Sequence, residues 1–340
     1  MRLLSILAPR RARLLSLVLL TALSQAASAQ GSSGDDVLLQ MKQAFQRGDK
    51  ARLTTLLPMA RGHALEPWAA YWELKARLNE ASPLEVQDFL TRYAGTYQED
   101  RLRNDWLLFL GKQRDWDGFM ALHPAYRMGD DREVRCYAVL AGARPGGITK
   151  EQAREVRRDW LAQRDADDGC LAAAERLIGA DLMSPNDAWK KARLAMEANR
   201  PRAARDAVNL VAPDDLPLFD QMNASPAKFL AGRAVVAAKP KKEMVVLALV
   251  RIAMSDPDMA AVQLDSKWGP MLSAEERNWL WGVIGRQSAM KLSPMANGYF
   301  DNVTKPKDLT DDMLAWRVRS ALRMGQWKEV LPTINAMSEE

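Results

Sequence analysis

The sequence predicts an all-α protein built as an irregular array of helical hairpins. Three observations carry this: a helix–turn–helix unit recurs, helix-start signals are spread along the chain, and no alternating strand pattern survives inspection. The clearest copy of the unit is Leu314–Met337, LAWRVRSALRMGQWKEVLPTINAM, read as a helix ending near Met324, a tight turn on Gly325 and a second helix from Trp327. Four further copies are AFQRGDKARL (44–53), LGKQRDWDGF (110–119), AMEANRPRAA (195–204) and AMSDPDMAAV (253–262). Each joins an apolar helix end to a turn residue (Gly48, Arg114, Asn199 or Ser255), with Lys50, Trp116, Pro201 or Pro257 two positions later. Glycine and asparagine suit the left-handed conformation that stops a helix, and proline suits the first turn of the next one. The spacing between copies is uneven, so the array is degenerate.

Taken in order, residues 1–29 have the three parts of a secretory signal: a basic region ending at Arg13, an apolar stretch from Leu14 to Leu23, and Ala27-Ser28-Ala29 before Gln30. The apolar stretch is too short to span a bilayer as a helix. A polar leader, Gly31 to Asp36, comes next. Val37, Leu38, Met41, Ala44 and Phe45 then share one helical face, and Gly48 ends that helix. Leu53, Leu56 and Leu57 make the return helix, stopped by Pro58, and Pro67 opens a helix bearing Trp68, Tyr71, Trp72 and Leu78. Ser82-Pro83-Leu84-Glu85 reads as a capping box with proline at the first helical position. Thr149 with Gln152, Ser184 with Asp187, and Ser273 with Glu276 each offer a cap side chain and a polar N3 residue, and Ser293-Pro294 and Thr310 also read as openings. The apolar run Val245 to Val250 fits a buried helix, and the proline-rich stretch Ala212 to Pro226 reads as a long turn.

The 340 residues are ample for a large core, and 48% hydrophobic with 27% charged is ordinary for a soluble protein. Four of the 48 basic residues (Arg2, Arg10, Arg11, Arg13) lie in the signal, leaving 44 basic side chains against 43 acidic ones. That balance offers no electrostatic case for nucleic acid or an anionic membrane surface. No cysteine stands directly after the cleavage site, so no lipid anchor is expected there, and the periplasm is the expected compartment. In an oxidising compartment the only two cysteines, Cys136 and Cys170, are expected to pair, with two buried thiols as the alternative. A zinc site would need more than His63 and His123, which are too few and too distant to complete one.

No phosphate-binding loop, dinucleotide fingerprint, nucleophile elbow or H-E-x-x-H is present, and no cofactor is implied. The adjacent carboxylates (Asp130-Asp131, Asp167-Asp168, Asp214-Asp215, Asp311-Asp312, Glu339-Glu340) sit at loops and helix starts, where acids are solvated or matched to the helix dipole. His123 precedes Pro124 and reads as a surface or partly packed residue. Of eleven tryptophans, most fall at helical positions shared with Leu, Val and Tyr, which favours packing over a sugar-stacking platform. Trp116 and Trp327 are expected to wedge at hairpin turns. No catalytic residue stands out.

Three stretches taken together resemble the soluble lytic murein transglycosylases. They are Phe89–Leu108 (FLTRYAGTYQEDRLRNDWLL), Glu275–Phe300 with its R-x-W-x-W-G and following L-S-P-x-A, and Leu314–Met337. The cysteine pair also sits where that family often has two. The resemblance implies a right-handed, U-shaped α-superhelix over 30–340 after a signal at 1–29, with peptidoglycan glycan strands as partner. It also implies a linker and a lysozyme-like domain beyond, whose single glutamate, in an E-S motif, would cleave the MurNAc–GlcNAc bond to 1,6-anhydro products. This sequence holds no Glu-Ser pair and no G-L-M-Q segment, so no catalytic residue of the family carries over. The chain is therefore expected to be the scaffold portion of such an enzyme, inactive alone. The competing class is a stand-alone exported helical-repeat interaction scaffold. Val330, Leu331, Ile334 and Met337 share one side of the 327 helix; Leu331 and Met337 are expected at an edge where another hairpin would dock, open to self-association.

Overall fold

The computed structural model describes residues 34–232 and 238–338, and the signal reading at 1–29 lies outside them. Among the described residues every regular element is helical. The chain divides into two compact units, the first ending at Val134 and the second running from Arg135.

The first unit contains α1 (34–47), α2 (Lys50–Leu56), α3 (Glu66–Ala76), α4 (Pro83–Arg92), α5 (Tyr97–Gln113) and α6 (Trp116–Leu122). Then come α7 (Arg132–Gly146), α8 (Lys150–Ala162), α9 (Asp168–Gly179), α10 (Pro185–Glu197) and α11 (Pro201–Val211). They are followed by α12 (Leu216–Ala224), α13 (Pro226–Ala231), α14 (Lys239–Ser255) and α15 (Pro257–Gln263). The last four are α16 (Ala274–Met290), α17 (Ala296–Phe300), α18 (Asp311–Arg323) and α19 (Trp327–Asn335). In the second unit α10, α14, α16 and α18 pack side by side in a row, and α11, α15, α17 and α19 each return against the helix before them. This is the solenoid logic of the hairpin repeat.

The hairpin turns are local and alike. Gly48, Arg114, Asn199 and Gly325 all take positive φ, at 70°, 60°, 57° and 70°. The next residue's N–H reaches back five residues: Asp49 to Ala44, Asp115 to Leu110, Arg200 to Ala195, Gln326 to Ala321, at 2.8–3.0 Å. This is the Schellman closure of a helix. Ser255 departs from the expectation: it is the last residue of α14, and Asp256 caps α15 through the Met259 N–H instead. Leu292 and Asp181 make the same left-handed turn although neither is glycine or asparagine.

Capping boxes form at Ser82/Glu85, Thr149/Gln152 and Ser273/Glu276. Ser184 caps α10 through the Asn186 N–H, and Asp187 is drawn away to Arg157 at 2.8 Å, so that box does not form. Ser293-Pro294 opens a turn, and the short α17 starts only at Ala296. The expected long turn at 212–226 is instead a 3-10 turn, Pro213–Asp215, followed by α12, with Pro226 opening α13. Each proline there stands at the start of a helical segment, where its missing N–H costs nothing, and Phe219 and Met222 bury the inner face. The Val245–Val250 run is wholly buried within α14, as expected.

Cys136 of α7 and Cys170 of α9 are joined by a disulfide, Cα–Cα 4.9 Å, and both are fully buried. Six tryptophans (106, 160, 189, 268, 279, 281) are buried and four (68, 72, 116, 316) half-buried, so packing is their main role. Trp327 is 70% exposed: it lies outside the turn, contrary to the wedge expected of it.

Candidate functional site: a charged cleft on α10, α14 and α16

The sequence-level candidates disperse. His63 accepts the Leu65 N–H on Nδ1 (3.0 Å), so its Nε2 donates to Asp35 (2.9 Å). His123 is half-buried, stacked on Phe119 at 5.4 Å, and burial lowers its pKa. The acid pairs serve structural contacts: Asp167 caps α9 at the Cys170 N–H, Asp168 accepts the Tyr137 hydroxyl of α7, and Asp131 accepts the Glu133 and Val134 N–H groups. Glu339-Glu340 lie outside the described residues.

The structure draws other residues together. On α10, Trp189, Lys190, Arg193 and Glu197 recur at three- and four-residue intervals and so share a face, which packs on α14 and α16. The Arg193 guanidinium, its side chain 3% exposed, forks onto two carboxylates. Nε and Nη2 donate to Glu243 at 2.9 and 2.6 Å, and Nη1 and Nη2 donate to Glu275 at 2.5 and 3.2 Å. Glu243 of α14 is completely buried, whereas the Glu275 side chain is 48% exposed. Lys239 bridges Glu243 and Glu276, both at 2.7 Å. Burial alone would lower the Arg193 pKa, and the two carboxylates more than reverse that, holding it above the ordinary value. The same contest keeps Lys239 raised; for Glu276, burial is overcome by Lys239 and the Ser273 N–H, and its pKa falls.

Beneath this layer lies Glu197. It accepts the Trp279 Nε1–H at 2.8 Å and meets Arg286 at 3.0 Å, and Arg286 continues to Asp312 of α18 at 3.0 Å. Desolvation outweighs both partners and pushes the carboxyl up to about 7. Its side chain is 4% exposed and does not line the cleft, so it has no route to a solute.

Above the network a cleft of about 410 Å³ opens, lined by Trp189, Lys190, Arg193, Lys239, Glu243 and Glu275 among others. Lys190 is half-buried, its Nζ 5.9 Å from the Trp279 ring centre. Among the described residues it has no carboxylate partner, because the adjacent Asp187 is engaged by Arg157. Desolvation, with help from the Arg157 charge, lowers its pKa. Chemically the cleft is a polar recess with cationic and hydrogen-bonding walls. A smaller cleft of about 210 Å³ in the first unit is also charged, and three of its carboxylates are matched: Glu66 with Arg92, and Glu73 and Glu85 with Arg77.

The sequence reading passes over Lys190, Arg193, Glu197, Lys239 and Glu243. A signal exists in the 3–4 spacing on α10 and in an acid set directly before the Met244–Val250 apolar run, but charges in helices usually mark a solvated face. The R-x-W-x-W-G stretch acquires a physical account. Arg277 holds the Leu272 and Gly269 carbonyls at 2.7 and 3.3 Å, Trp279 donates to Glu197, and Trp281 stacks on Tyr299 at 6.1 Å. A Cβ on Gly282 would meet Leu309 Cδ2 at 2.5 Å and Met313 Sδ at 2.8 Å, so glycine lets α16 approach its neighbours closely.

No protein-family model and no curated protein sequence matches the chain. Among solved structures it is similar to the lytic transglycosylase Slt of Pseudomonas aeruginosa, 24% identical, TM-score 0.50, over 89% of this chain and 49% of that one. The 70-kDa soluble lytic transglycosylase of Escherichia coli aligns at 16% identity and TM-score 0.46, over 91% of this chain and 50% of that one. A 70-kDa soluble lytic transglycosylase in complex with bulgecin A aligns at 16% and 0.45, with the same coverage. The chain thus spans about half the length of the solved structures it matches. The likeness to Slt is one of fold, and at that level it meets the resemblance read from the three sequence stretches.

Proposed function

We propose that this chain is the helical scaffold of a periplasmic lytic-transglycosylase-type protein, holding peptidoglycan glycan strands for cell-wall turnover. The observation that carries the reading is the fold likeness to Slt across 89% of the chain, supported by the R-x-W-x-W-G contacts on α16. The reaction of the whole enzyme would be cleavage of the MurNAc–GlcNAc bond to 1,6-anhydro products. This sequence contains no Glu-Ser pair to supply the acid, so these residues hold substrate and do not cleave it.

The test is co-sedimentation of the purified chain with insoluble sacculi, followed by analysis of released muropeptides. Binding without 1,6-anhydro release is expected. Failure to sediment, or release of 1,6-anhydro products, would overturn the scaffold role. A second reading, an interaction scaffold that meets other protein surfaces, is favoured by one observation: Trp327, Leu331 and Ile334 of α19 are 70%, 64% and 45% exposed.

A further inference from the structure

Arg193 is sealed on one edge by Glu243, which is fully buried, and on the other by Glu275, whose side chain is half in solvent. The two contacts differ in permanence. A carboxylate buried against a guanidinium cannot leave without stranding a charge, whereas the half-exposed Glu275 carboxylate can swing into water and be rehydrated, leaving Arg193 still paired with Glu243. The outer edge of Arg193 is therefore a bidentate carboxylate seat occupied by a replaceable group. Lys190 stands in the same cleft with no carboxylate ion pair of its own, in the field of Glu275 and Asp187, which favour its charge, and of Arg157 and Arg193, which oppose it. The recess, about 410 Å³, has room for a small acidic moiety with its neighbouring atoms.

We propose that this cleft binds a ligand carboxylate, with Lys190 as the docking cation and Glu275 as the internal stand-in that the ligand displaces from Arg193. Resting on the peptidoglycan reading above, the ligand is a free carboxylate of the peptide stem carried by a muropeptide. Trp189, which lines the cleft, supplies an apolar wall for the adjoining atoms, so the site recognises an acid attached to a chain in preference to a free inorganic anion. Removing the Glu275 charge weakens its hold on Arg193 and should strengthen binding, an effect opposite in sign to that of removing Lys190.

The experiment is NMR on the full chain, its lysines reductively ¹³C-dimethylated so that charge is kept, with the Lys190 signal assigned by Lys190→Gln. The probes are a disaccharide-tetrapeptide muropeptide, the same disaccharide without peptide, and glutarate. The expected result is a Lys190 shift with the muropeptide and with glutarate and none with the bare disaccharide. Muropeptide affinity should weaken about tenfold in Lys190→Gln, the scale of one charge-assisted hydrogen bond, and tighten several-fold in Glu275→Gln. If Lys190→Gln does not fold, the tightening in Glu275→Gln decides, since loss of structure cannot increase affinity. A Lys190 signal unmoved by both muropeptide and glutarate overturns the proposal even if sacculi are bound. A glutarate shift without sacculus binding keeps the carboxylate seat and removes the peptidoglycan reading.

Discussion

Glu197 shows how one residue's surroundings set its chemistry. A glutamate has an ordinary pKa near 4.5, and burial raises it here to about 7 despite Arg286 and the Trp279 N–H. The folded chain thus holds this proton more tightly than the unfolded chain does. Its contribution to stability is complete below about pH 4.5 and is lost as pH rises through about 7. At ~1.4 kcal/mol per unit the loss has a ceiling of roughly 3 kcal/mol. Urea unfolding of the wild type between pH 5 and pH 8 should show a fall that Glu197→Gln lacks, because the amide carbonyl still accepts from Trp279 and never charges. Identical pH profiles for the two proteins would refute the assignment. In sequence, Glu197 is one more acid near a helix end, and nothing local distinguishes it from a solvated one.

At the scale of elements, the same residue type acts in opposite ways. Gly142 lies on an exposed part of α7 with open space where a Cβ would go, while Gly282 lies on α16 against Leu309 and Met313. Helix propensity favours alanine over glycine at either position by about 1 kcal/mol. At Gly142 nothing opposes that gain, so Gly142→Ala should stabilise by about 0.5–1 kcal/mol. At Gly282 the new methyl must push α18 or its preceding loop outward, and Gly282→Ala should destabilise by about 1–3 kcal/mol. Paired thermal melts check the contrast, and equal shifts in the two variants would contradict the close approach of α16. The caps that set these helices were legible at Ser82, Thr149 and Ser273 because a capping box is closed within four residues. The failure at Ser184 came from Arg157, thirty positions away, capturing Asp187.

At the scale of the whole molecule, an apolar face is left open to water. Along with Trp327, Leu331 and Ile334 of α19, Leu322 and Met324 are 40% and 47% exposed. Val330 and Met337 are half-buried, so the exposed pair is Leu331 with Ile334, where Leu331 with Met337 was expected. Covering such a face recovers about 25 cal/mol per Å² of apolar surface. Multi-angle light scattering of the purified chain should show a mass that rises with concentration. Trp327→Glu with Leu331→Lys should return it to a monomer. A wild type that stays monomeric throughout the accessible range would leave this face without a self-association role. Among the described residues no helix is long and apolar enough to cross a membrane.

From sequence alone came the helical class, four of the five hairpin turns as left-handed closures at the expected residue, three capping boxes and the cysteine pairing. Turns and caps are decided by atoms within about five residues, and two cysteines leave one disulfide to make. Tertiary structure alone decided the rest. Arg193 meets Glu243 across 50 residues and Glu275 across 82, and Trp279 reaches Glu197 across 82. Whether a charged side chain on a helix faces water or a neighbour depends on which helix packs against it. Neither composition nor 3.6-residue periodicity carries that information, because a solvated polar face and a buried ion network share the same spacing.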